Sequence, residues 1–357
     1  MSRVCVFEDR DKNYDALYES LRKLLDEEFK VERYDGSREV PAVTGDEAVR
    51  EFLLDYAPAI LAVIDWDLSE FKQGVRRAAI RAVAEELSVP IIMYQGDDPH
   101  ENATARLRRW QERRIVIPGK SPPEAVAEKC ADVARGFLRI HLALDATTDG
   151  PRLLETLRSV LEPPSGAPLH LEQFAVGNQE LLRLPADRER GLRDPESIRF
   201  IATWMGYLIH NRILQFPGPV LGNVAAAAYL AVSLDELRTE DVAAVLEPAR
   251  YRGPFSGSLP GWWRSKLDVI ITDAMEDEDA TIPLGLEALK RRLKRDVVGG
   301  TCREGHVLDE PGYVCILTDS AVCHEHSAPE DAWIPQGADR CRIHAEELEL
   351  LQAWLGL

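Results

Sequence analysis

The first 145 residues switch repeatedly between two spacings of apolar positions. Val4-Cys5-Val6-Phe7 is an apolar run of strand length, and Leu17, Leu21, Leu24, Leu25 and Phe29 then fall on one helical stripe over 16–29. Val31 to Tyr34 reads as a second strand. Thr44-x-x-Glu47 has the form of a capping box that opens a helix over 47–56. Ile60 to Ile64 is a continuous apolar strand, followed by a helix over 73–87 with Val75, Ala79, Ile80, Val83 and Leu87 in register. Val89 to Tyr94 makes a fourth strand, 102–113 a helix, and Ile115-Val116-Ile117 a fifth strand. Ser121-x-x-Glu124, with Pro122 at the first helical position, opens a last helix running to about Leu144. Unbroken apolar strands are those buried on both faces. The pattern predicts an α/β unit over 1–145, a doubly wound parallel five-stranded sheet whose ligands gather outside the carboxyl ends of the strands.

Beyond Ala146 the pattern changes. A Pro/Gly-containing linker leads into a mainly helical middle region, 151–298, with a second break at Pro163 to Pro168. Ile198, Ile201, Met205, Leu208 and Ile209 share one face over 195–214, and 220–232, 241–246 and 287–295 also read as helices. The loop 251–264 carries Tyr251, Phe255, Trp262 and Trp263, which suit an interface anchor or a pin into the core equally well. The tail, 300–357, has a strand over 313–318 and a terminal helix over 345–355, a small α+β unit.

Composition narrows the function classes. The 357 residues are 45% hydrophobic and 29% charged, the balance of a folded chain rather than a disordered one. No run reaches about 18 apolar residues and Met1 to Arg10 is not an apolar leader, so the expectation is a cytoplasmic protein with no membrane partner. A net charge of -18 repels phosphate backbones. That charge is uneven: the tail holds 11 acidic against 3 basic residues, the middle 21 against 18. Nucleic-acid contact is therefore not expected, and a DNA-binding output would have to lie in the middle. There the run Lys290 to Arg295 reads as a solvated helix face, and no recognition helix stands out.

Two groups of residues carry chemistry. Glu8 and Asp9 follow strand one, Asp65 follows strand three and Lys120 follows strand five. The topology brings these strand ends to one edge, where three carboxylates call for a hard cation such as Mg2+ and a lysine suits a phosphoryl group. This arrangement resembles the receiver domain of two-component response regulators over about residues 1–143. The resemblance implies that Asp65 is the phosphoacceptor, that Glu8, Asp9 and Asp65 bind Mg2+, and that Lys120 binds the phosphoryl group. It also implies a flavodoxin-like sheet and a histidine kinase or downstream effector as partner. Gln95 stands where the family has a hydroxyl residue beside the phosphoryl group. Ile117 replaces the family's aromatic on strand five, and the loop Trp66 to Ser69 lacks the usual Pro and Gly. These departures make a pseudo-receiver the alternative to a phosphorylation switch.

The second group is in the tail. Six cysteines in a cytoplasmic chain are not a disulfide framework, and four of them cluster from Cys302 onward with four of the eight histidines. Cys323-x-x-His326 and Cys341-x-x-His344 form two close pairs of the kind tetrahedral zinc uses, with Cys302 and His306 as alternates. A metal would also help so short a tail to fold. A catalytic metal site with Glu325 as base is the enzymatic alternative. The leading expectation is a non-enzymatic signalling protein. Its receiver-like domain acts by protein contact through a helical and zinc-stabilised output region.

Overall fold

The computed structural model describes residues 2–34, 45–55, 59–68, 71, 75–94, 113–117, 121–146, 153–165, 195–275, 285–328, 334 and 337–355. Its N-terminal part is the expected α/β unit. Strands β1 (Ser2–Phe7), β2 (Phe29–Arg33), β3 (Ala59–Asp65), β4 (Ile91–Tyr94) and β5 (Ile115–Ile117) form one sheet in the order β2-β1-β3-β4-β5. Every neighbouring pair is parallel. All seven residues of β3 are buried, as befits the central strand of a sheet covered on both faces. Helices α1 (Asp11–Leu25), α2 (Gly45–Leu54), α3 (Arg77–Glu86) and α4 (Pro123–Asp145) supply the covering layers. One apolar cluster, with Leu17, Leu21, Val126 and Phe137, lies on one face. A second, with Val49, Leu53, Ile80 and Val83, lies on the other. The helix expected over 102–113 lies outside the described residues apart from Arg113.

The helix expected over 73–87 starts at Arg77 and the strand expected over 313–318 ends at Cys315. Two further boundaries differ from the expected pattern for clear reasons. Phe29 belongs to β2 and not to the preceding helix: it pairs with Ser2, and its ring is 1% exposed in the sheet's core. Val220 does not begin a helix. Val220–Gly222 is strand β6, paired antiparallel with β7 (Gly261–Trp263), and the alanine-rich helix α7 starts only at Asn223. β-branched Val220 and the partner strand about forty residues on favour extension locally.

The middle region begins with α5 (Leu153–Leu161) and α6 (Pro195–Leu208). It shares its core with the sheet. Helix α4 packs on α1, α5 and α6 alike. Ile198, Ile201 and Met205 of α6 join the same apolar cluster as Val4 and Val63. The Tyr207 hydroxyl receives the backbone N–H of Ile91 at the start of β4, at 2.7 Å, and Thr203 Oγ1 donates to the Ser88 carbonyl at 2.7 Å. The helix continues as a π-helical turn, Ile209–Ile213, where Asn211 Nδ2 donates to the Arg114 carbonyl beside β5.

Close approach of α4 and α6 depends on glycine. The Phe137 ring lies where a Gly206 side chain would be, and the Phe255 ring lies where a Gly136 side chain would be. Phe137 in turn packs edge-on against Tyr207 and Phe255 at centroid distances of 5.7 and 5.3 Å. Tyr251, Phe255, Trp262 and Trp263 are all buried, so the aromatic loop is pinned into the core.

Further on come the short helices α8 (Leu234–Leu237) and α9 (Glu240–Leu246), then α10 (Arg264–Met275) and α11 (Gly285–Leu293). The basic run is ion-paired. Arg295 meets Glu236 and Asp241 at 2.5 and 2.7 Å, Arg292 meets Asp273, and Lys290 and Arg291 face Glu287. The tail folds as a three-stranded sheet, β8 (Tyr313–Cys315), β9 (Ser320–Val322) and β10 (Cys341–Arg342), in the order β10-β8-β9, with α12 (Ala345–Leu355) following it.

A methyl group at position 206 would sit 2.0 Å from the Phe137 ring, which is itself locked between two aromatic neighbours. Gly206→Ala should therefore cost about 1–3 kcal/mol of stability from overpacking, outweighing the roughly 1 kcal/mol that alanine gains as a helix former. Chemical denaturation measures this, and an unchanged midpoint would show that Phe137 can swing aside freely.

Candidate functional site

The sheet register builds the first candidate site. Phe7 lies beside Ile64, and Asp65 lies beside Tyr94. Glu8, Asp65 and Tyr94 therefore end three adjacent strands in one row, with Asp9 next to Glu8. The carboxylates of Glu8, Asp9 and Asp65 lie within 4.8 Å of one another. Glu8 is fully buried and Asp65 is 6% exposed.

Protein donors hold Glu8 on both oxygens. The Arg10 backbone N–H donates to Oε1 at 2.9 Å and the Tyr94 hydroxyl donates to Oε2 at 2.5 Å. Arg33 donates to the Glu8 carbonyl from Nε and Nη2, at 3.2 and 3.1 Å. Arg10 reaches across to Asp67 at 2.5 Å. Burial drives the titration of the group. It raises the Asp65 carboxyl to about 7, with the neighbouring Glu8 charge adding to the effect, while the backbone N–H groups of Trp66 and Asp67 oppose it. Burial likewise raises Glu8, against its bonds from Tyr94 and Arg10. Burial, then the charges of Glu8 and Asp65, push the Tyr94 phenol far up, so it stays a donor. Such a nest gains from any cation that neutralises it, and an all-oxygen donor set suits Mg2+.

Lys120 and Gln95, the expected phosphoryl-binding residues, lie outside the described residues. Tyr94 was not anticipated. The signal was available: it is the last residue of β4, and the parallel register places it level with Asp65.

The second candidate site is in the tail. All six cysteines are reduced and buried. Cys323 and His326 are brought together, but with Cys302 as the third member. His326 Nδ1 lies 3.1 Å from Cys323 Sγ and 3.6 Å from Cys302 Sγ. His306 is the next neighbour, its ring 4.4 Å from that of His326 between centroids, and half-exposed with Nδ1 3.6 Å from Glu325. His344 forms a separate group with Glu304 and Glu346. Cys341 is not gathered with either group. It lies on β10, level with Val314 and fully buried, where burial and the nearby Cys315 push its thiol well above the usual range. Glu304 and Glu346 escaped sequence reasoning because glutamates in an acidic tail give no distinguishing signal.

No protein-family model matches the chain, and no curated protein is similar to it. Among the described residues no helix is long and apolar enough to cross a membrane. The tail and the strand-end pocket thus each present a group of Cys, His or carboxylate side chains able to bind a metal.

The raised Asp65 carboxyl has a consequence for stability. The folded state binds its proton more tightly than the unfolded state, so stability falls as the pH rises from about 4 through 7 and the full penalty applies above that range. In metal-free protein, Asp65→Asn should raise the thermal midpoint at pH 8 and leave it nearly unchanged at pH 4. Equal effects at both pH values would count against a strained carboxylate nest.

Proposed function

We propose that the chain is a regulatory signalling protein. Its receiver-like unit binds Mg2+ through Glu8, Asp9 and Asp65 and accepts a phosphoryl group on Asp65. The observation that carries this reading is the row of three gathered carboxylates at the carboxyl edge of a parallel sheet in the order 2-1-3-4-5. Phosphoryl transfer needs little more from a protein than a cation, an in-line carboxylate and charge stabilisation. The site would act on the rest of the chain by contact, because β4 is bonded to Tyr207 of the helical layer and the residue before β5 to Asn211. A histidine kinase is the phosphoryl source this reading calls for, and a protein effector the recipient of the signal. A zinc ion in the Cys/His tail would stabilise the output end.

One observation favours a pseudo-receiver as the second reading. Both oxygens of Glu8 already accept protein hydrogen bonds, and Tyr94 stands level with Asp65 on the neighbouring strand. In that case the same fold presents a surface and performs no phosphoryl chemistry.

The two readings separate in one experiment. Beryllofluoride with Mg2+ should bind the full-length protein, and acetyl phosphate should add one phosphoryl group detectable by intact mass. Asp65→Asn should abolish both. If wild-type protein shows neither heat of binding nor mass change, the phosphoacceptor reading is overturned and the pseudo-receiver stands.

A further inference from the structure

Two turns in the tail aim soft ligands at one point. In the first, the Cys302 carbonyl accepts the Gly305 N–H at 2.9 Å and the Cys302 N–H donates to the His306 carbonyl at 2.8 Å, and Gly305 sits at φ +82°, a conformation that only glycine adopts readily. The second turn, Cys323 to His326, follows directly from β9 and is closed by the Ser327 N–H bonding the His324 carbonyl at 3.2 Å. The Arg303 N–H bonds the Ala321 carbonyl at 2.9 Å and so holds the two turns face to face. A tetrahedral zinc with bonds of about 2.3 Å to sulfur and 2.0 Å to nitrogen has sulfur–nitrogen edges of about 3.5 Å. The observed edges of 3.1 and 3.6 Å bracket that value.

His344 supplies an independent observation. It is 2% exposed, and neither ring nitrogen has a hydrogen-bond partner among the described residues. Nε2 lies 3.2 Å from Glu304 Oε1, but out of alignment for a hydrogen bond. A buried imidazole left without partners costs about 1–3 kcal/mol. His344 is also tied to the second turn. It bridges Ser327, the next residue's N–H bonds the His326 carbonyl at 3.0 Å, and its ring lies at 26° to that of His326 with centroids 6.2 Å apart. His306, by contrast, is exposed enough for water to satisfy it.

We propose that Cys302, Cys323 and His326 hold one zinc ion and that His344, which stands apart from them beside Glu304 and Glu346 in this structure, closes in as the fourth ligand and so fastens helix α12 to the two turns. This rests on the zinc reading of the tail and changes its ligand set, exchanging Cys341 for Cys302. Glu304 and Glu346 then act as outer partners that orient the His344 ring, an arrangement usual for metal-bound histidine. Two thiolates and two imidazoles select zinc over Mg2+ or Ca2+. Cys341 remains a core thiol beside Cys315 and carries no metal.

The test uses the full-length protein, with zinc measured by elemental mass spectrometry and by competition with a chelator. Wild-type protein should carry one zinc per chain. Cys302→Ser, Cys323→Ser and His326→Ala should lose it, and His344→Ala should weaken retention at least tenfold. Cys341→Ser should keep it. Zinc-edge absorption of the Cys341→Ser protein should still show two sulfur neighbours even if its fold is weakened. Absence of zinc from wild-type protein would overturn the zinc reading itself. Zinc kept by Cys302→Ser but lost by Cys341→Ser would leave zinc in place and overturn this ligand set. Loss on His306→Ala with retention on His344→Ala would overturn the fourth ligand.

Discussion

Helix α6 meets α4 closely only because Gly206 leaves room for the Phe137 ring, while Gly136 on α4 leaves room for the Phe255 ring of the aromatic loop. The rings of Phe137 and Phe255 occupy the vacated space and interlock with Tyr207. The outer face of α4 would otherwise face water, and here it becomes the middle of a core running from the sheet to α5, α6 and the aromatic loop. An interior packed to crystal-like density transmits displacement rather than absorbing it. The helical layer is thus built onto the sheet through apolar contact, with Tyr207, Thr203 and Asn211 adding polar fastenings to β4 and its flanks.

At the carboxyl edge of the same sheet the physics is reversed. Packing there is sacrificed to gather charge. Glu8 and Asp65 are buried side by side, and burial with the neighbouring Glu8 charge raises the Asp65 carboxyl. Such a concentration of unfavourable charge is one that a bound cation would relieve. The tail solves a different problem. Its own cluster of Cys315, Leu317, Val322, Ile343 and Leu351 is small, and it leans on its neighbours, burying Leu308 and Val314 in the core built around α7 and Ala338 and Cys341 in the core it shares with the sheet.

Much of this was legible along the chain. Strands β1, β3, β4 and β5 announced themselves because most of their residues lie within the core, as in a parallel sheet covered on both faces, whereas the edge strand β2 buries only Phe29 and gives the weakest pattern. Glu8, Asp9 and Asp65 were legible because parallel topology sends strand ends to one edge. What escaped reading depends on partners distant in sequence. Val220–Gly222 is a strand only because Gly261–Trp263 lies beside it. Tyr94 belongs to the pocket only through its register with Asp65. Spacing made Cys341 and His344 look like a pair, yet the parallel pairing of β10 with β8 turns Cys341 into the core, while Cys302 reaches the cluster from a separate turn well before Cys323 in the chain.

Strand β4 is four residues long and is gripped by a phenol at each end. Tyr207 accepts the N–H of Ile91, and the Tyr94 hydroxyl donates a hydrogen bond to Glu8. At about 3.3 Å of rise per residue, a tie rod only some 10 Å long joins the acidic pocket to the helical layer. The two ends are therefore in mechanical series: a shift of Tyr94 along the strand axis arrives at the Tyr207 hydroxyl with almost no compliant material between them. Shortening or lengthening this strand by one residue would leave one of these ties about 3.3 Å out of register, so its length is constrained by both ends together.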